Sequence, residues 1–123
     1  MTSVPKARIE LAASFERNLD VIEAFLAEAE APTEVFDDLA SAIVSRLFPL
    51  LESHPRAGRD WLLKVPPTES GRALQQQIIG KLKGRRELRE FVLDRHLILY
   101  AIDGDTVTLL AIRHHRQAGF ELP

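Results

Sequence analysis

At 123 residues, 46% hydrophobic and 28% charged, the chain has the make-up of one globular domain rather than a disordered tail. No cysteine is present, which excludes disulfides, thiolate zinc sites and cysteine nucleophiles, and no apolar stretch approaches the roughly 20 residues that span a bilayer. The net charge of −2 divides unevenly: residues 1–61 carry six Lys/Arg against eleven Asp/Glu, residues 62–123 ten against seven, and twelve of all sixteen cations are arginine.

The chain opens without an apolar stretch of the kind a secretory signal needs, so a cytoplasmic protein is expected. In residues 6–12, KARIELA, Ile9 and Leu11 alternate with Arg8 and Glu10, the pattern of a short strand buried on one face. Ser14 is placed to cap a helix with Glu16 in its first turn, and Phe15, Leu19, Ile22, Phe25 and Leu26 follow at helical spacing. Ala31-Pro32 ends that run, and Thr33 is placed to cap a second helix with a stripe of Phe36, Leu39, Ile43, Leu47 and Leu50. The short connection predicts an antiparallel helix hairpin. Pro49 predicts a kink or an early end in the second helix, because it lacks an N–H and its ring crowds the preceding turn.

Residues 53–59, SHPRAGR, read as an exit loop, and residues 62–69 as extended around Pro66-Pro67. Leu74, Ile78 and Leu82 predict a short extra helix around 70–83, with Gly84 as its C-cap. Three strands follow. Phe91 and Leu93 alternate with Glu90 and Val92, Asp94-Arg95 forms a turn, and residues 96–102 are nearly all apolar, as in a central strand covered on both faces. Asp103-Gly104-Asp105 is a hairpin loop, and Val107 to Ile112 returns. The expected fold is α+β, one domain over 1–123, with an N-terminal strand and helix hairpin packed on a C-terminal three-strand antiparallel meander.

The order strand, helix hairpin, "HPRAGR" (54–59), "LREFVL" (88–93) and "LILYAIDGDTVTLLAIRHHRQ" (97–117) resembles the RelE/ParE superfamily of bacterial type II toxin–antitoxin toxins, also called plasmid stabilisation proteins. The "SFERNLDVIEAFLAE" helix (14–28) belongs to the same likeness, whereas residues 60–84 depart from it. The resemblance implies a toxin neutralised by a cognate antitoxin. ParE-like members inhibit DNA gyrase by binding it, and RelE-like members cleave messenger RNA on the ribosome. A module that binds antitoxin without toxicity is a third reading.

A nuclease of this kind needs cations around a phosphate and a group that moves a proton. Arg113 matches the family's strand-end arginine, Arg89 can reach the same sheet, and His115 or His114 can serve as acid or base. The C-terminal position where RelE-like members keep a tyrosine holds Phe120, and the only tyrosine, Tyr100, sits mid-strand, where a core position with its hydroxyl bonded is expected. This departure favours the ParE-like reading. Each residue also has a plain alternative: Arg113 as a solvated strand end or an ion pair with Asp103 or Glu90, the histidines as polar exits from a strand.

Lys81, Lys83, Arg85 and Arg86 form a cluster that, with Arg95 and Arg116, could grip nucleic acid or an acidic protein, or simply complement a helix C-terminus. Phe25, Leu26, Val35, Leu50 and Leu51 extend beyond a single helical stripe, which suits an antitoxin-binding face, and a sheet edge is open to strand addition. Three imidazoles (His96, His114, His115) without carboxylates at ligand spacing make a poor metal site, so neither metal nor cofactor is expected.

Overall fold

A computed structural model describes residues 6–60 and 87–114. Strand β1 is Arg8–Leu11, helix α1 Ala13–Glu28 and helix α2 Thr33–Ala42. A single π turn, Ile43–Leu47, runs directly into α3, Phe48–Ser53, and a 3₁₀ turn, Pro55–Ala57, leads to β2, Arg59–Asp60. Strands β3, Glu87–Leu93, β4, His96–Asp103, and β5, Thr106–His114, complete the described fold. The expected helix 70–83 lies outside the described residues.

The fold is α+β, as expected, and its sheet is larger than the three-strand meander. Five strands lie in the order β1-β5-β4-β3-β2. β1 adds to β5 in parallel, and β2, which begins at the last residue of the stretch read as an exit loop, adds to β3 antiparallel. Two residues are too short for a period-2 pattern, which is why β2 left no signal in the sequence. The near-continuous apolar run of β4 sits between β3 and β5, and Leu99 and Ala101 on one face and Ile98, Tyr100 and Ile102 on the other are all buried. Both tight turns rest on a positive φ, at Asp94 (54°) and Gly104 (61°).

One face of the sheet meets the helices. Phe15 and Ile22 of α1, with Leu39, Ile43, Leu47 and Leu51 of the second helical run, close on Leu93, Ile98, Tyr100, Ile102, Val107, Leu109 and Ile112. Burying side chains of this size stabilises the fold by about 1.5–3 kcal/mol each before conformational entropy is counted. Leu11, expected to face inward, is 40% exposed at the end of the edge strand, while Ile9 packs on the core.

The disturbance expected at Pro49 takes the form of a π turn just before it, and the chain stays helical to Ser53. The π turn closes with Phe48 N–H donating to Ile43 O, a bond across five residues, and Pro49 then falls in the first turn of α3. A missing N–H costs nothing in a first turn, and the widened turn before it accommodates the ring.

Neither expected N-cap caps. Pro32 precedes α2, so Thr33 is its first residue, and α1 starts at Ala13 with Ala12 before it. Ser14 has a different task. Leu99 pairs with Ala111 and Tyr100 with Leu109, so Leu110 is an extra residue that bulges β5. Ser14 Oγ donates to the bulged Leu110 carbonyl at 2.5 Å, and two residues on, Ile112 N–H donates to Asn18 Oδ1 at 3.0 Å. Ala12 N–H donates to Leu109 O at 2.9 Å. Where β1 stops, α1 thus takes over the edge of β5 with two buried polar side chains.

Candidate functional site

The densest polar cluster among the described residues is built around the His-Pro-x-x-Gly-Arg segment. Tyr100, fully buried, donates its hydroxyl to Pro55 O at 2.7 Å and accepts from Gly58 N–H at 2.9 Å. Arg89 Nη1 donates to Gly58 O at 2.6 Å and its Nε to Glu87 Oε2 at 3.2 Å. Arg56 approaches the same carboxylate through Nε and Nη2, the latter at 2.6 Å. Hydrogen bonding from Arg56, reinforced by Arg89, lowers the Glu87 carboxyl below the ordinary glutamate value, and burial raises the Tyr100 hydroxyl. Gly58 fits because it has no side chain: a Cβ there would lie 2.7 Å from Glu90 O and 2.8 Å from the Tyr100 oxygen. The segment, read as a loop, is a lock between the helical layer and the far sheet edge.

This lock decides what Arg89 and Tyr100 can do. Arg89 sits opposite Tyr100 in the β3–β4 ladder, on the face toward the helices. Arg113 sits opposite Leu97, three residues before Tyr100 on the same regular strand. Alternation therefore puts Arg113 on the other face of the sheet from Arg89. The expected position of Tyr100, in the core with its hydroxyl bonded, is the one it holds. It serves as acceptor and donor at once and has no proton to lend.

Arg113 is half-buried and donates from Nη1 to His114 O at 3.4 Å. His114 faces His96 across β4–β5, ring centroids 5.3 Å apart and edge to face, on the face that carries Ile98 and Ile112. No group of three or more His, Cys, Asp or Glu placed to hold a metal ion occurs among the described residues. Arg95 is exposed on the β3–β4 turn. His115, Lys81, Lys83, Arg85, Arg86, Arg116 and Phe120 lie outside the described residues.

The residues read as an antitoxin face divide by burial. Phe25 is 67% exposed and Val35 45%, joined by Val21 at 45%, which sits one helical turn before Phe25. Leu26 packs partly on the core, Leu51 is fully buried, and Leu50 lines a cleft of about 270 Å³ with Arg46, Leu47, Phe91, Val92, Leu93 and Asp94. A helix with two apolar stripes presents only one to a partner, and Leu51 belongs to the stripe that packs inward. Arg46 Nη2 closes over this cleft on Asp94 Oδ2 at 2.6 Å.

Asn18 was missed by the sequence reading although a signal existed. It lies three residues after Phe15 and four before Ile22, so a helix that buries both buries Asn18 too, and a buried amide needs a partner.

No curated protein matches the chain. A family model does, over residues 9–119: the ParE toxin of the type II toxin–antitoxin system, parDE. That span runs from β1 through the lock to beyond the described end of β5 and covers most of the chain, as the strand, hairpin and meander order led one to expect. The chain belongs to the ParE toxin family of type II toxin–antitoxin systems.

Proposed function

We propose that this toxin acts in the cytoplasm by binding DNA gyrase, not by cutting RNA, and that a cognate antitoxin neutralises it by covering the exposed apolar side of the helix hairpin around Phe25 and Val35. The observation that supports the non-catalytic reading is the separation of Arg89 from Arg113. A nuclease built on these two would need both at one phosphate. Here they occupy opposite faces, and Arg89 is spent on Gly58 O and Glu87. Tyr100, the sole phenol, is likewise committed.

Two assays on the purified protein test this. Gyrase supercoiling should be inhibited in proportion to toxin, while primer extension on a translated message should show no new cleavage. Transcript cleavage that disappears in Arg113→Ala would overturn the proposal in favour of a ribosome-dependent ribonuclease. Silence in both assays, together with harmless expression, would reduce the protein to an antitoxin-binding module.

A further inference from the structure

The helix hairpin carries a charge distribution unlike the rest of the molecule. Between residues 13 and 42 there are nine charged side chains, of which eight are carboxylates: Glu16, Asp20, Glu23, Glu28, Glu30, Glu34, Asp37 and Asp38. The ninth is Arg17, and all nine are exposed. None of the eight makes a hydrogen bond or ion pair among the described residues. Set among them are Val21, Phe25 and Val35, each at least 45% exposed. Arg17, Val21, Phe25 and Glu28, spaced four, four and three residues apart, share one stripe of α1, Glu16, Asp20 and Glu23 run along a second, and Val35 and Asp38 are three apart on α2.

A field of unpaired like charges around apolar anchors weakens the fold by self-repulsion and strengthens capture of an oppositely charged partner. We infer that the outer face of this hairpin takes a cationic amphipathic segment of the antitoxin, in which Lys or Arg flank apolar side chains that bury Phe25 and Val21. The inference rests on the antitoxin-binding reading above and adds the chemistry of the segment and the way it is captured. A second copy of the chain is a poor occupant of this face, because an isologous contact would set carboxylates against carboxylates. An aromatic left two-thirds exposed suits a complex that covers it, and membership of a toxin–antitoxin family implies an antitoxin as partner.

The probe is the product of the reading frame beside the toxin gene, titrated on the refolded full-length toxin by stopped flow. Between about 0.02 M and about 0.2 M salt, where the screening length shrinks from beyond 20 Å to below 10 Å, the association rate of the parent should fall at least about tenfold. Asp20→Lys/Glu28→Lys/Asp38→Lys should bind about tenfold or more slower at low salt and lose most of that salt dependence, while Glu28→Gln/Asp38→Asn should fall between. Phe25→Ala should leave the association rate alone and speed dissociation. These positions are all exposed, and circular dichroism serves to confirm that each variant folds.

Binding with unchanged rate and salt slope in the charge variants overturns the inference while leaving the antitoxin reading intact. So does a defect in gyrase inhibition with normal antitoxin capture, which would give this face to the target. Self-association of the toxin through this face at low salt, abolished by the same variants, would give it to a second copy. No association of the parent with the neighbouring product at any salt would remove the antitoxin reading itself.

Discussion

The lock around Gly58 and the outer face of the helix hairpin are both rich in charge, and they use it in opposite ways. In the lock, Tyr100, Arg89, Arg56 and Glu87 each hold a named partner, and two of those partners are backbone carbonyls that would otherwise be stranded. Elsewhere Arg8 pairs with Glu10, Arg46 with Asp94 and Arg59 with Glu90. On the hairpin, eight carboxylates face solvent with no partner among the described residues. A satisfied polar network fixes one geometry, because each member penalises departure from it. An unsatisfied surface field fixes nothing in the toxin itself and acts on whatever approaches. The contrast separates residues that hold the fold from residues available for recognition.

The sharpest way to break the lock is Gly58→Ala. Its φ of −77° suits alanine, so any cost is steric, from a methyl carbon placed against the Glu90 carbonyl and the fixed Tyr100 ring. We expect a loss of about 2–3 kcal/mol in urea unfolding. Wild-type stability in this variant would mean that the lock yields and carries no specification. Tyr100→Phe should cost about 2 kcal/mol, since it strands Gly58 N–H and Pro55 O in a buried place. It should also remove part of the clash, so the double variant should lose less than the two single losses added together. The raised value of the Tyr100 hydroxyl gives a pH signature. Its stabilisation is fully present below the ordinary tyrosine value, about 10, and is lost as pH rises through the folded value. The parent should therefore weaken above about pH 10, and Tyr100→Phe should lack that alkaline loss.

The apolar periodicity carried most of the architecture. Phe15, Ile22, Leu39, Ile43 and Leu47 announced the helices, and the run from 96 to 102 announced a strand covered on both faces. What stayed hidden depended on partners distant in sequence. Arg59 and Asp60 form a strand only because β3 offers an edge, and the role of Gly58 is set by Glu90 and Tyr100, more than thirty residues away. The two arginines proposed for one site were separated by parity along β4, a fact that needs the register and cannot be read from composition. Ser14 looked like a cap because Ser before a helical stripe usually is one, but the helix begins one residue before it and its hydroxyl donates to the Leu110 carbonyl at the bulge.

The edge of β5 is a smaller instance of the locked kind. Asn18→Ala leaves Ile112 N–H without its acceptor in a buried seam and should cost about 1–2 kcal/mol. The loss should be local, with faster hydrogen exchange at the Ile112 amide than at the core of β4. Equal exchange at both would show that the whole sheet opens together and that α1 does not seal this edge separately.

The smallest effects on stability belong to the hairpin face, and there the sign carries the information. Neutralising Asp20, Glu23 and Glu28 to Asn or Gln removes no hydrogen bond or ion pair among the described residues, so at moderate salt stability should change by no more than about 0.5 kcal/mol. At low salt the same variant should be the more stable one, because like charges on one helix repel. For the parent, adding salt should raise the melting temperature until the repulsion is screened, and the variant should show a flatter response. If the parent instead weakens steadily with salt, its surface ion pairs outweigh the hairpin repulsion, and the carboxylates store no strain for a partner to release. A rise with salt in the free toxin, together with weaker antitoxin capture over the same range, would show one set of charges opposing the fold and drawing in its partner.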